Sequence, residues 1–207
     1  FSSELKEIWD NLTSDNDSSP FLKFFLHKSW YELFGKPGSL YIINHSDSIL
    51  MPLVLYNDYA EITGDQDLFD YHDFIYKKNL DPIKVKEIID YCFSNLNIQN
   101  LKIKSVPEES FTHKLIISSC NELDLKVTSH NEDLSPYLDL DSSFENYLMK
   151  LNKKNRHEIR RKMKKLESAG NISIKKCNSD EVADWIEIFF NLMMHNPEKE
   201  IFLTEKR

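Results

Sequence analysis

Glycine is scarce in this chain: four in 207 residues, at positions 35, 38, 64 and 170, with no Gly-x-Gly pair. A turn whose backbone amides cradle a pyrophosphate at a helix N-terminus relies on closely placed glycines, so the sequence carries no such coenzyme fingerprint. Cysteine is equally sparse. Cys92, Cys120 and Cys177 stand far apart with no CxxC and no neighbouring His pair, which argues against a disulfide framework and a zinc site and leaves three reduced core thiols as the expectation. The seven histidines show no HExxH or His-x-x-x-His spacing, and no serine lies in a Gly-x-Ser-x-Gly context. A metal-dependent peptidase and a serine hydrolase therefore have nothing to rest on, and no metal ligands are assigned.

Long apolar runs are missing too. No stretch approaches the roughly 20 residues that cross a bilayer, and the N-terminus lacks a basic-then-apolar signal pattern, so a cytoplasmic location is the expectation. The chain opens on Phe1 instead of Met, which points to a fragment or a processed form. What is present describes a folded protein: 41% hydrophobic, 29% charged and 12% aromatic residues, in a length that suits one large domain or one domain and part of a second.

Periodicity predicts the elements. Leu5, Ile8, Trp9 and Leu12 mark a short amphipathic helix. Ser19 and Pro20 cap a second, which stops near Gly35 and Pro37. SLYIIN and ILMPLVLY (49–56) read as two strands joined by the polar turn HSDS, with Pro52 suited to an edge or a bulge. DYAEIT is a third strand, followed by the acidic aromatic loop GDQDLFDYHDF. A helix over 82–96, a strand over 101–106, a helix over 108–120 and strands near 123–129 and 136–140 complete a mixed α/β (α+β) layer arrangement. A long helix from Ser142 or Ser143 to Gly170, a strand over 171–177 and a helix ending before Pro197 follow.

The strongest anomaly is KLNKKNRHEIRRKMKK (150–165): nine Lys or Arg against Glu158 alone, in a chain of net charge −8. At 100° per residue, Phe144, Tyr147, Leu148, Ile159, Met163 and Leu166 fall within an arc of about −40° to 120° from Leu151, and Lys153, His157, Arg160 and Lys164 fall near 180–240°. Asn155 and Lys162 interrupt the apolar stripe, so a helix break near 152–156 is expected. A solvated face is the plain reading of the charges; grouped Arg and Lys also suit phosphate. The acidity of the remaining chain disfavours RNA and DNA as partners, and an apolar stripe required for packing disfavours membrane attachment.

FENYLMKLNKKNRHEIRRKMKKLESAGNISI (144–174) resembles the R-x-x-x-R-R…L-E-x-x-G helix and following strand of a GNAT-like acyltransferase group that includes proteins of bacterial cellulose and exopolysaccharide synthesis. It is similar as well to the corresponding part of the Fem-type aminoacyltransferases of peptidoglycan bridges. Pro20-Phe21-Leu22 with Trp30, Met51-Pro52-Leu53, and Gly64 followed by Asp70-Tyr71-His72-Asp73-Phe74 fit the same group. The resemblance implies two GNAT-like lobes: residues 1–140 as the first, and 141–207 as the basic connecting helix and the beginning of a second.

It further implies an N-acyltransferase that passes an acyl group from acetyl-CoA or another acyl-CoA co-substrate to an amine of a sugar, amino acid or peptide-type acceptor, a small molecule or cell-envelope precursor. Arg156, Arg160 and Arg161 occupy the family's basic positions and would meet phosphate or anionic substrate. Asp70, Tyr71 and Asp73 would line the acceptor groove; of that loop's carboxylates, Asp65, Asp67, Asp70 and Asp73, none fits an EF-hand pattern. No catalytic base is assigned. The sparse glycines depart from the family, and the coenzyme site is expected to be absent from these residues. The rival reading is a non-catalytic binding or scaffolding module, and a third is an RNA-binding helix.

Overall fold

The computed structural model describes residues 1–14, 19–35, 38–65, 68–77 and 80–196. The chain divides into two compact units, Phe1–Asp133 and Leu134–Arg207.

The first unit follows its apolar patterning closely. Helix α1 (Ser3–Leu12) is capped by the Ser2 side chain and buries Trp9 and Leu12. Ser19 caps a 3-10 turn, Pro20–Leu22, and helix α2 (Phe24–Phe34) starts afresh after Lys23, which lies in an extended conformation. Strands β1 (Ser39–His45), β2 (Ile49–Leu55) and β3 (Tyr59–Ile62) form an antiparallel meander, and β4 (Ile75–Tyr76) pairs with the start of β2. Helix α3 (Pro82–Asn95), capped by Asp81, carries the chain over to β5 (Asn100–Lys102), which joins β3 in parallel. A parallel pair needs such a crossover connection. The result is an open mixed sheet in the order β1-β2-β3-β5, and helix α4 (Phe111–Glu122) packs against α3.

Strand β2 is central, and its sequence says why. Alternate residues of ILMPLVL point to opposite faces, and both faces are covered, so the run is apolar throughout. Ile49, Met51 and Leu53 join Val85, Ile88, Ile89, Cys92 and Leu115 of α3 and α4. Leu50 packs with Trp9, Leu12 and Phe24, and Val54 with Trp30 and Phe69, on the α1–α2 side. Each such side chain removed from water contributes roughly 1.5–3 kcal/mol.

Pro52 is paired on both sides, not at an edge. Its carbonyl accepts the Thr63 N–H at 3.0 Å, so its nitrogen faces the same side, between the β3 pairing at Leu53 and the β4 pairing at Leu50. The proline forgoes the return bond to the Thr63 carbonyl, while its register with Ile42 of β1 is kept.

The second unit departs from the expectations more. The long helix is two helices, α5 (Phe144–Lys150) and α6 (Lys153–Ser168). Leu151 turns extended at ψ 150°, and Asn152 caps α6 by accepting the Asn155 N–H at 2.9 Å. Of the apolar stripe only Leu148 is buried; Met163 is 42% and Leu166 60% exposed. Helix α7 (Val182–Met194) has no buried residue.

The strands expected near 123–129, 136–140 and 171–177 do not form: the described residues there have no ladder partner. Alternation prepares a strand but cannot pair it, and Ile174 stays 99% exposed. The strand expected over 101–106 is confined to β5, which ends at Lys102, and Ser105 adopts a left-handed φ of 53°. Helix α4 starts three residues later than expected, where Ser110 supplies the cap. Cys92 and Cys120 are the buried thiols foreseen, and burial pushes Cys92 up to about 12; Cys177 is only half-buried. No described helix is long and apolar enough to cross a membrane.

Candidate functional site

The segment from Gly64 to Tyr76 starts where β3 ends and is fastened by three side chains of its own. Gly64 has φ +113°, and a Cβ there would stand 2.3 Å from Nε2 of His72. Asp65 accepts the Trp30 indole N–H at 2.8 Å and the Leu68 N–H at 3.0 Å. It is therefore an anchor of the loop. Asp67 lies outside the described residues.

His72 is the second fastening, fully buried and stacked on Phe69 with ring centroids 4.9 Å apart. Its backbone N–H reaches Ser105 O at 2.9 Å, and its Nδ1 lies 3.0 Å from Lys104 O. On the other side of Phe69, His27 of α2 lies 2.5 Å through Nδ1 from Thr63 Oγ1. Burial holds His27 down at about 3 and lowers His72 as well, so both rings are neutral near pH 7. The aromatic neighbours and the absence of a nearby acid on His27 make this pair a packing device.

The three residues expected to line an acceptor groove separate. Asp70 is exposed, and Tyr71 is exposed with its ring 6.1 Å from that of Phe21. Asp73 turns inward. Its Oδ1 accepts the Phe74 N–H at 2.7 Å, and its Oδ2 is 3.4 Å from the Tyr76 hydroxyl, which in turn accepts from Thr112 Oγ1 at 3.1 Å.

Burial raises the Asp73 carboxyl to about 6, against the lowering effect of those hydrogen bonds. Burial, seconded by the neighbouring carboxylate, raises Tyr76. A carboxyl near 6 exchanges protons readily around neutral pH, which suits general acid–base work. Tyr76 and Thr112 escape a sequence reading, since Thr112 comes from α4, 36 residues away.

The basic positions of the second unit divide in a different way. Arg161 makes a two-pronged bond to Glu158, both contacts 2.8 Å, and this pairing holds Glu158 down at about 2. Arg160 Nη2 lies 2.7 Å from Glu145 Oε2. Arg156 has no carboxylate partner among the described residues and points a guanidinium N–H at Met149 O, 3.4 Å away. Lys153, Lys154, Lys164 and Lys165 likewise make no ion pair among the described residues. Two of the three expected phosphate ligands are thus already partnered by acids of their own unit.

No group of three or more His, Cys, Asp or Glu suited to a metal ion occurs among the described residues. Comparison of the chain with models of known families, with characterised proteins and with solved structures finds no match.

Proposed function

We propose that the chain is the acceptor-side portion of a GNAT-like N-acyltransferase, in which Asp73 takes the proton from the attacking amine. The observation that carries this reading is the Thr112–Tyr76–Asp73 series, whose partly buried carboxyl stands near 6 at one end. The motif resemblance over 144–174 and around Gly64 to Phe74 supplies the reaction class. An amine must lose a proton as it attacks a thioester, and a base near neutrality removes it with least cost. Acetyl-CoA or another acyl-CoA would be the co-substrate.

The test is thiol release from acetyl-CoA by the full gene product with a panel of primary amines. Amine-dependent release is expected, with Asp73→Asn lowering kcat by about 10²–10⁴, as loss of a general base does. No amine-dependent release, or a variant as fast as the parent, defeats the reading.

A binding module is the second reading, and one observation favours it. Two cavities of the first unit, one between α3 and α4 and one beside the β1–β2 turn, are lined by none of Asp70, Tyr71 and Asp73. Ligand binding with no turnover of any acyl-CoA would select it.

A further inference from the structure

The end of α1, the β1–β2 turn, the segment after β4 and the start of α3 meet around a cavity of about 220 Å³. Two of its lining residues, Leu12 and Leu80, are buried. Its rim carries Asn11, Asp47, Ser48, Lys77, Asp81 and Lys84.

The rim is charged in both signs, yet its charges do not neutralise one another. Lys77 Nζ donates to Asn11 Oδ1 at 2.8 Å, and Lys84 Nζ donates to Ser48 Oγ at 2.7 Å. Neither ammonium has a carboxylate partner among the described residues, and each keeps two N–H donors to spare. The carboxylates are also half used. Asp47 Oδ1 accepts the Asn44 amide at 2.6 Å and Asp81 Oδ1 accepts the Ile83 N–H at 3.0 Å as the α3 cap, while each Oδ2 has no hydrogen bond among the described residues. Asp47 is held at the turn tip by paired left-handed conformations, φ 53° at Ser46 and 51° at Asp47.

Among the described residues, two cations and two anions beside two leucines do not complement a phosphate, which Asp47 and Asp81 would repel, nor a polyamine, which the lysines would repel. They complement a zwitterion that carries a hydrocarbon group. We propose that this cavity binds a free α-amino acid with a small aliphatic side chain. The ligand carboxylate lies on Lys77 and Lys84, its ammonium on Asp47 and Asp81, and its side chain on Leu12 and Leu80. A volume of about 220 Å³ suits a small ligand. The site goes beyond acyl transfer and stands or falls without it.

The experiment is an amide-resolved NMR titration of the protein with L-valine at millimolar concentration, beside isobutylamine, which lacks the carboxylate, and 3-methylbutanoate, which lacks the ammonium. Valine is expected to shift the Ser48, Leu80 and Lys84 resonances saturably, with either half-ligand at least about tenfold weaker, the loss of one well-placed charge contact. Lys77→Gln and Lys84→Gln should each weaken valine about tenfold while the remaining spectrum and the Tm are unchanged. No shift with valine, equal affinity for the half-ligands, or undiminished binding by the doubly substituted chain overturns the proposal.

Discussion

Thr63 Oγ1 lies 2.5 Å from Nδ1 of His27, and both side chains are fully buried. Only one donor is needed between them, so the neutral imidazole is accommodated, whereas its cation would be buried among Trp9 and Phe69 without a carboxylate partner.

Acid should therefore loosen this side of the sheet. The folded pKa of His27 is depressed to about 3, from 6.5, and that of His72 is depressed too. Below about 6.5 the unfolded chain binds protons that the folded chain refuses, so the stability these groups contribute is complete above that pH and is lost as pH falls toward 3. Asp65 and Glu132 offset part of the loss at His72. In an Asp73→Asn background, which removes the opposing titration of that carboxyl, urea midpoints should drop between pH 7.5 and 5, by an amount on the order of 1 kcal/mol or more in unfolding free energy, and His27→Gln should flatten the dependence. An unchanged midpoint would contradict the burial of two neutral rings.

Asp73 acts with the opposite sign. Its folded pKa, about 6, is raised above the ordinary 3.8, so its contribution is favourable below about 4 and is lost as pH rises through 6. Asp73→Asn should raise stability at pH 7 by roughly 1–3 kcal/mol and leave it unchanged near pH 4. A destabilised variant at pH 7 would show that the carboxylate is needed by the fold.

Gly64→Ala should be strongly destabilising. A Cβ there meets His72 Nε2 at 2.3 Å on a backbone at φ +113°, which combines strain with displacement of a packed ring, about 2–4 kcal/mol in all. Thermal unfolding would register it, and Gly64→Ala with a parental Tm would refute the close approach.

Asn152→Ala should unravel the start of α6. The cap satisfies the Asn155 N–H, its loss costs about 1 kcal/mol, and α6 buries no residue that would compensate. Amide exchange at Lys154 to Arg156 should accelerate while α3 is unaffected. Equal acceleration in both helices would argue against a local effect.

Much of the first unit was legible because its signals are local. Ser19 caps where a capping residue precedes an apolar period, though it opens only a 3-10 turn, and the apolar run of β2 reads as a strand, though Pro52 misplaced it at an edge or a bulge. The candidate site was half legible. Asp73 stands out as an acid among aromatics, but nothing in its neighbourhood distinguishes it from Asp70; the difference is that Phe74 and Ile75 enter the core and turn Asp73 inward with them.

By itself the sequence determined where α1 and α3 lie, which residues form apolar periods, and that a dense cationic run breaks its own apolar stripe. Those properties follow from backbone sterics, capping and a period of 3.6 or 2 within a few residues. Only the tertiary structure decided that Pro52 sits between two strand partners, that residues 171–177 find none, that Arg160 and Arg161 are matched by Glu145 and Glu158 while Arg156 is not, and that Asp73 meets a tyrosine bonded to a threonine from another helix. Ladders and buried polar contacts close over long separations, and the free energy that selects among them comes from joint burial, which no single segment contains.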